Sequence, residues 1–390
     1  MLNLPLAHFA RACQRATIMT DLELRDHCDT FLHGNRRISP ASMFGAMASW
    51  AEANKIAHDV YGEGELIQGF EAKIAQLLGF EAGLFCITGT MTQINALRLA
   101  CIERGSELVG LHVSSHILVH ENSNFQLLNC FKSVNLGEPY RPWLARDVQA
   151  IPEQLAAVAY ELPMREIGGQ LPSLDELDAI KAVCHERNIH LHMDGARLWE
   201  AATGYGKPLA EVCAGFDSCY VSFYKGIGGL GGAMLLGNAS FIAKARVWMA
   251  RSGGNLVHRS PYVVAAAMQF DAKLAAMPQW LARTHELVRL LDTLQQDTPT
   301  HARLIRTNPA TPQCNLLHLY FALDVARMNA VRNRIAEQER AWLFGNARNT
   351  ALPNQSMTEL YVGENLCDLA PERLQQLLQL LLNGIAQACA

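Results

Sequence analysis

Short apolar segments alternate with amphipathic ones between about residue 80 and residue 240. One such pair is "AAVAYEL", which is typical of a buried strand, and "SLDELDAIKAVCHERN", which has the apolar period of a helix. Further strand-like segments are "AGLFCI", "ELVGLH", "IHLHMD", "SCYVSFY" and "GGAMLLG". Strands that alternate with helices predict a mostly parallel sheet with helices on both faces. The pattern therefore predicts an α/β fold.

The pattern changes after about residue 270. A long helix is predicted in "PQWLARTHELVRLLDTLQQ", followed by an apolar strand in "CNLLHLYFAL" and a helix in "DVARMNAVRNRIAEQERAW". The closing segment "APERLQQLLQLLLNGIAQ" has the apolar spacing of an amphipathic helix. Its apolar face carries Leu374, Leu377, Leu378, Leu381 and Leu382. These features predict a compact α+β lobe.

At 390 residues the chain is longer than one hydrophobic core usually supports, which predicts two lobes. The join is expected near residues 255–275, where Gly253, Gly254 and Pro261 favour irregular structure. We predict an N-terminal arm or helical segment over residues 1–34, a large α/β domain over 35–265 and a small C-terminal α+β domain over 266–390.

The composition is that of a soluble globular protein. Half of the residues are hydrophobic, 18% are charged and the net charge is −4, so no nucleic-acid partner is expected. The first residues contain no long apolar run, which predicts neither an export signal nor a membrane span. Eleven cysteines without a CxxC pair indicate free thiols in a reducing cytoplasm, and no metal site is expected.

Four stretches place polar residues where predicted strands end. In "CITGTMTQ", a strand runs through Thr88, Gly89 and Thr90 into a helix. The free N–H groups at such a helix start can bind a phosphate, although a threonine cap without a ligand is the alternative. In "SSHILVHE", His116 stands at the head of another helical segment, where a purely structural histidine is the alternative.

The other two stretches carry an acid and a lysine. In "HMDGARLW", a buried strand ends at Asp194, where the carboxylate either meets a ligand or caps the next helix. In "SCYVSFYKGIGGLGGAML", Lys225 follows another such strand. Burial lowers the pKa of a lysine and so prepares its amine to attack a carbonyl carbon; a lysine that extends from a loop to solvent is the alternative.

Taken together, the four stretches meet the four needs of pyridoxal phosphate. This cofactor requires a phosphate-holding helix start, a ring that stacks on it, an acid that keeps its pyridine nitrogen protonated and an amine that binds its aldehyde. The combination therefore favours a pyridoxal-phosphate enzyme over four unrelated structural features.

The same stretches resemble the threonine aldolase and β-eliminating lyase family of fold-type I pyridoxal-phosphate enzymes. The resemblance covers about residues 35–265 and rests on "DVYGEGELIQGFEAKIAQLLGFEAGLFCITGTMTQINALR", "MDGARLWEAA" and "SFYKGIGGLGGAML". It implies a fold-type I, transferase-like α/β fold with a large, mostly parallel sheet. Family membership also implies that the site is completed in a homodimer or homotetramer.

The resemblance also implies roles for individual residues. Lys225 would bind the cofactor aldehyde, Asp194 would pair with the pyridinium nitrogen and Arg197 would lie near the phenolic oxygen. His116 would stack on the ring and help to move a proton. The implied cofactor-binding set is completed by Thr88, Gly89, Thr90 and Ser222.

The substrate-binding residues are less well marked, because this sequence departs from the family pattern. Glu121 and Tyr61 match family positions near the site, and the tyrosine position tends to lie across a dimer interface. The usual N-terminal substrate-binding stretch is replaced by "HGNRRISPASM", in which Asn35, Arg36 or Arg37 could substitute. The carboxylate-binding arginine expected late in the chain is missing from "TELYVGENL".

The leading hypothesis is therefore cleavage of a β-hydroxy-α-amino acid, such as L-threonine or L-allo-threonine, to glycine and an aldehyde. His116, or a water that it orients, is the candidate base. The alternative is β-elimination with the same cofactor on another amino acid. A hypothesis from a different class is a non-catalytic pyridoxal-phosphate binder. The expected partner is a small amino acid, with no membrane or nucleic acid involved.

Overall fold

The computed structural model describes residues 20–390, so part of the predicted N-terminal segment lies outside the described residues. The strands are β1 (Thr30–Phe31), β2 (Ala82–Cys86), β3 (Leu108–His112), β4 (Lys132–Leu136), β5 (Ala157–Glu161), β6 (His190–Gly195), β7 (Ser218–Ser222), β8 (Ala233–Gly237), β9 (Ile305–Asn308), β10 (Leu316–Phe321), β11 (Ala341–Trp342), β12 (Arg348–Asn349) and β13 (Ser356–Tyr361). They form a seven-stranded, a four-stranded and a two-stranded sheet.

Helices surround these sheets. They are α1 (Asp21–His27), α2 (Pro40–Ala53), α3 (Glu65–Leu78), α4 (Gly89–Arg104), α5 (His116–His120), α6 (Asn124–Leu127), α7 (Ala145–Gln149), α8 (Leu174–Glu186), α9 (Leu198–Tyr205), α10 (Leu209–Cys213), α11 (Ala239–Arg251), α12 (Ser260–Leu294), α13 (Val325–Glu339), α14 (Glu364–Cys367) and α15 (Pro371–Cys389). Among residues 20–390, no helix combines the length and apolarity that crossing a bilayer would require.

The seven-stranded sheet has the order β2-β8-β7-β6-β5-β3-β4. Strands β7, β6, β5, β3 and β4 are parallel, whereas β8 runs antiparallel to both of its neighbours. The mostly parallel sheet predicted from the sequence is therefore confirmed. Because parallel strands end at the same edge, the segments after β3, β5, β6 and β7 all meet at one carboxyl edge, where ligands of α/β sheets usually bind.

The central strands are buried on both faces. Every residue of β5, β6, β7 and β8 is buried, as expected of strands covered by helices on both sides. Large side chains fill the layer between sheet and helices, and Trp143, Trp199 and Phe223 are almost completely excluded from solvent. This core fixes the strand ends on which the candidate site is built.

The C-terminal lobe contains the four-stranded antiparallel sheet, in the order β12-β13-β10-β9. All five leucines of the predicted apolar face of α15 are buried in the core of this lobe. That part of the prediction is confirmed, because one apolar face of the helix covers the core of the lobe.

Helix α12 is longer than the sequence pattern predicted. We predicted a helix from Pro278, whereas α12 begins at Ser260 and contains this proline in its interior. Buried contacts on both sides of the proline, through Phe270, Met277 and Trp280, hold the helix together across it. The predicted boundary at residues 265/266 falls inside α12, and β1 pairs with β11 of the C-terminal region. The division into domains therefore remains a prediction.

Candidate active site

Lys225 lies just beyond the carboxyl end of β7, in a turn held by backbone hydrogen bonds. The Gly228 N–H donates to the Lys225 carbonyl at 3.1 Å, and the Gly229 N–H donates to the Phe223 carbonyl at 2.7 Å. The side chain is half-buried. Burial lowers the pKa of Lys225 to about 8, and the positive charges of Arg197 and Arg165 act in the same direction. The amine is therefore closer to its neutral, nucleophilic form at neutral pH than an exposed lysine.

Two carboxyl groups lie side by side at the same edge. Parallel pairing of β5 with β6 sets Glu161 opposite Asp194, and both residues are buried. Burial and the neighbouring Asp194 raise the pKa of Glu161 to about 8. The Asp194 carboxylate accepts a hydrogen bond from the Ala196 N–H at 3.0 Å. Glu161 therefore holds a proton at neutral pH next to the acid that the sequence assigns to the cofactor.

His116 follows β3 and begins α5. Its backbone N–H donates to the Glu161 carboxyl group, which ties this segment to β5. Its ring nitrogen Nδ1 lies 3.4 Å from Oε1 of the buried Glu121. Neither atom has another hydrogen-bond partner within residues 20–390. Since Nδ1 faces Glu121, Nε2 is the nitrogen available to a substrate.

The start of α4 can hold an anion. Thr88 is the N-cap residue, and its hydroxyl accepts a hydrogen bond from the Met91 N–H at 3.3 Å. In the described part of the chain, the N–H groups of Gly89 and Thr90 donate to no protein acceptor. A side chain at position 89 would overlap the Tyr220 hydroxyl, so only glycine allows this close approach. The arrangement is suited to a phosphate group.

Arg197 contributes a cation whose hydrogen-bond donors are not all used. Its side chain is mostly buried, and Nη2 lies 3.7 Å from Oε1 of Glu359. Its Nε atom is buried without a hydrogen-bond partner among the described residues. A buried guanidinium with unused donors is costly unless a ligand accepts from it, so this residue fits an anionic ligand group.

Not all predicted residues reach Lys225. Asn35 does come close, since its side-chain amide donates to the Gly226 carbonyl at 3.4 Å. The buried Ser222 hydroxyl donates to the Ala196 carbonyl at 2.8 Å, which joins β7 to the segment after β6. By contrast, Arg36 forms an exposed ion pair with Asp368.

Within residues 20–390, the hydrogen bonds of Tyr61 go to Val257 and Arg259 and not to these groups. Tyr61 is 52% exposed, and its N–H donates to the Val257 carbonyl at 2.8 Å. Arg259 is fully buried and donates to the Tyr61 and Phe85 carbonyls, so it supports this chain's own backbone.

Sequence reasoning did not single out Glu161, Glu200, Arg165 or Glu359. Glu200 lies in α9 with both carboxyl oxygens buried and without a hydrogen-bond partner, and burial raises its pKa to about 7. The usable signals were an acid at the end of the strand-like "AAVAYEL" and an acid inside the apolar "LWEAA". No local sequence pattern indicates that Glu359 lies near this edge, because its position depends on how the C-terminal sheet packs.

These groups fit pyridoxal phosphate. Gly89 and Thr90 would hold the phosphate, Arg197 an anionic oxygen, Asp194 the ring nitrogen and Lys225 the aldehyde carbon. The unpartnered Nε atom of Arg197 is a donor that a ligand would satisfy. This combination of groups is the one expected of a fold-type I site for pyridoxal phosphate.

The chain belongs to the β-eliminating lyase family, whose model matches residues 39–308. A low-specificity L-threonine aldolase of Saccharomyces cerevisiae is 28% identical over 250 residues, which are 61% of this chain and 63% of the yeast protein. The chain thus matches less than two thirds of the length of that curated relative.

Two solved structures share the fold. One is a provisionally assigned L-allo-threonine aldolase of Listeria monocytogenes EGD-E, with 31% identity, a TM-score of 0.85 and coverage of 93% of this chain and 98% of the other. The second is a provisionally assigned aromatic amino acid β-eliminating lyase/threonine aldolase of Exiguobacterium sp. 255-15, with 31% identity, a TM-score of 0.85 and coverage of 93% and 99%. The family and the fold class inferred from the sequence are confirmed.

Loading of the cofactor should report the charge state of Lys225. We expect the rate at which added pyridoxal phosphate binds to rise with pH through a midpoint near 8, because only the neutral amine attacks the aldehyde. The growth of visible absorbance after mixing measures this rate. Nα-acetyl-lysine, whose only amine is that of the side chain, serves as the reference, with its midpoint near the ordinary value of about 10.4. A protein midpoint at the reference value would contradict the assignment of Lys225.

Gly226 should tolerate no side chain. A Cβ atom at this position would overlap Oε1 of Glu200, so Gly226→Ala must displace either the buried carboxyl group or the turn that carries Lys225. We expect cofactor affinity about tenfold weaker or worse, measured by equilibrium absorbance titration. Gly69→Ala, on an exposed helix position with open space around it, is the matched control and should bind normally. Normal binding by both variants would refute the close packing.

Proposed function

We propose that this chain is a pyridoxal-phosphate-dependent aldolase that cleaves a β-hydroxy-α-amino acid of the L-threonine or L-allo-threonine type to glycine and an aldehyde. The observation that carries the proposal is the convergence of Lys225, Asp194 and His116 at one sheet edge. The names of the relatives support the same reaction. The thiols of the described cysteines are all free, which supports a reducing, cytoplasmic location.

When bound, pyridoxal phosphate supplies an electron sink for the pair released as a bond at the substrate α-carbon breaks. Asp194 holds a proton at the pyridine nitrogen, which keeps the sink effective. Lys225 provides a neutral amine near pH 8, and the half-buried position of its side chain limits access of water. The start of α4 orients the phosphate through the N–H groups of Gly89 and Thr90.

His116 and Glu121 provide the acid–base pair. Glu121 accepts from the Asn124 side-chain amide at 3.0 Å through Oε2, which leaves Oε1 facing His116 Nδ1. An Nδ1–H directed at this carboxylate leaves Nε2 as a proton acceptor for the β-hydroxyl group. Glu121 stabilises the imidazolium that forms. Removal of that proton favours cleavage between the α- and β-carbons over loss of the hydroxyl group, and so favours aldolase chemistry over β-elimination.

Product analysis separates the reactions. The cofactor-loaded protein is mixed with L-allo-threonine and, in parallel, with L-threonine, and we expect glycine and acetaldehyde in equal amounts. Ammonia with 2-oxobutanoate would indicate β-elimination.

Asp194→Ala should keep the fold and lose nearly all turnover, because the pyridine nitrogen loses its proton partner. An active Asp194→Ala variant would refute the role of Asp194.

We also propose that the protein is a homodimer or a dimer of dimers, with the Tyr61 region at the interface. Val60, Tyr61, Leu256 and Val257 are all exposed apolar or aromatic residues, and a backbone hydrogen bond joins Tyr61 to Val257. A patch of this kind is typical of a surface covered by a partner. Around a two-fold axis, the patch would meet its own copy.

A charge in this patch should split the dimer. We expect Val257→Asp to halve the molar mass measured by light scattering, from a dimer to one chain or from a dimer of dimers to a dimer, because the interface would bury a carboxylate from each copy. The control is Leu127→Asp, which introduces the same charge at an exposed leucine on the short helix α6. A Val257→Asp protein that keeps the parent mass would contradict this interface.

A further inference from the structure

An amino-acid substrate brings a carboxylate, and the site must supply a cation to bind it. The sequence suggested Arg36 or Arg37, but neither is free in the structure. Arg36 pairs with Asp368 through two hydrogen bonds of 2.6 Å, and Arg37 lies 2.7 Å from Asp26, with all four side chains exposed. Their charges are already used at the surface. Another cation is therefore required.

Arg165 is placed to fill this role. It lies in the short turn that follows β5, at the same carboxyl edge as Lys225. Its charge contributes to the lowered pKa of Lys225, which places it within electrostatic reach of that amine. The side chain is 29% exposed, so one side of it is open to a ligand.

Two of the three guanidinium nitrogens of Arg165 face acids, and the third is free. Nε donates to Glu359 at 2.6 Å, and Nη1 lies 3.2 Å from Glu166. Nη2 makes no hydrogen bond to any residue in the described range 20–390. A planar guanidinium held in this way presents a preorganised donor to a carboxylate.

Glu359 couples this arginine to Arg197. It lies on β13 of the C-terminal sheet, and its two carboxyl oxygens face Arg165 and Arg197 separately. Although burial opposes it, the two arginines lower the pKa of Glu359, so the carboxylate is ionised. Glu359 is thus shared by two arginines, and by itself it balances only one of their two positive charges.

Glu166 balances the remaining charge only in part. Its Oε1, which faces Nη1 of Arg165, also lies 2.8 Å from Nε2 of His120, and its Oε2 lies 3.4 Å from Arg348. His318 pairs with Glu359 across the sheet register, but burial lowers its pKa to about 4, so it is neutral. Arg165 and Arg197 therefore keep positive charge that Glu359 and the shared Glu166 do not fully balance.

We propose that Arg165 binds the α-carboxylate of the amino-acid substrate through its free Nη2 group, and that Glu359 is the residue that positions it. This assignment rests on the proposed function, since it requires an amino-acid substrate at Lys225. It makes Arg165 a residue that determines specificity for amino acids over amines. The missing arginine of the late strand is thereby replaced by one from the turn after β5.

The experiment compares two ligands that differ at one group, which is a carboxylate in glycine and an uncharged amide in glycinamide. Glycine and its neutral amide, glycinamide, are titrated into the cofactor-loaded protein, and the change in visible absorbance gives each dissociation constant. We expect Arg165→Gln to weaken glycine binding about 10- to 100-fold and to leave glycinamide binding nearly unchanged, because only glycine loses a charge-assisted hydrogen bond. The glycine affinity of Arg165→Lys should lie between those of the parent protein and Arg165→Gln, since lysine keeps the charge without the planar fork.

Arg37→Gln is the matched control. Arg37 lies near the expected position in the chain, but it pairs with Asp26 at 2.7 Å, and its side chain is 46% exposed. Its removal should change glycine binding by less than about threefold, as expected of a solvent-screened charge. Loading of the cofactor, measured for each variant, reports whether the fold is intact. If Arg165→Gln fails to load, Arg165→Lys gives the decisive comparison of the two ligands.

The outcomes separate the two proposals. A parent protein whose absorbance does not respond to glycine would overturn the proposed function, and with it the role of Arg165. A parent that responds, together with an Arg165→Gln variant that keeps its glycine affinity, would overturn the role of Arg165 alone. An equal loss for glycine and glycinamide would also overturn it, because such a loss does not depend on the carboxylate.

Discussion

The candidate site depends on the register between two buried parallel strands. Pairing of β5 with β6 sets Glu161 beside Asp194. Two buried carboxyl groups this close repel each other when both are ionised, so one of them keeps its proton. The raised pKa of Glu161 places the proton on that residue. A shift of either strand by one residue would turn one carboxyl group to the other face of the sheet. The helices that bury both strands therefore also fix the charge pattern at the edge.

The same register connects the parts of the site that lie on other strands. Glu161 accepts from the backbone of His116, so the segment after β3 is held by the carboxyl group that neighbours Asp194. On the other side, Ser222 binds the Ala196 carbonyl and fixes the end of β7, from which Lys225 extends. The C-terminal sheet adds one charge to this edge through Glu359. The edge therefore combines a lysine of lowered pKa with two arginines that share Glu359, an arrangement that suits an anionic ligand.

Much of this arrangement could be predicted from the sequence. Alternating strand and helix patterns gave the mostly parallel sheet, and the spacing of the leucines gave the buried face of α15. Lys225, Asp194 and His116 were found because each stands where an apolar segment ends, and parallel strands end together. Local patterns are informative there, because chain order alone decides which residues share an edge. The start of α12 was missed, since a proline usually marks a helix start and only buried packing carries the helix across it.

The groups that the sequence did not reveal are those whose role depends on contacts between distant segments. Arg165 and Glu359 are 194 positions apart, and neither stretch shows that they share a hydrogen bond. Arg36 and Arg37 were reasonable candidates because they lie near the expected position in the chain. Their ion pairs with Asp368 and Asp26 depend on packing and have no local sequence pattern. A charged residue cannot be assigned from its position alone, because its partner decides whether the charge is available. In this protein the C-terminal sheet supplies that partner, and it leaves Arg165 with a donor to spare at the edge where Lys225 lies.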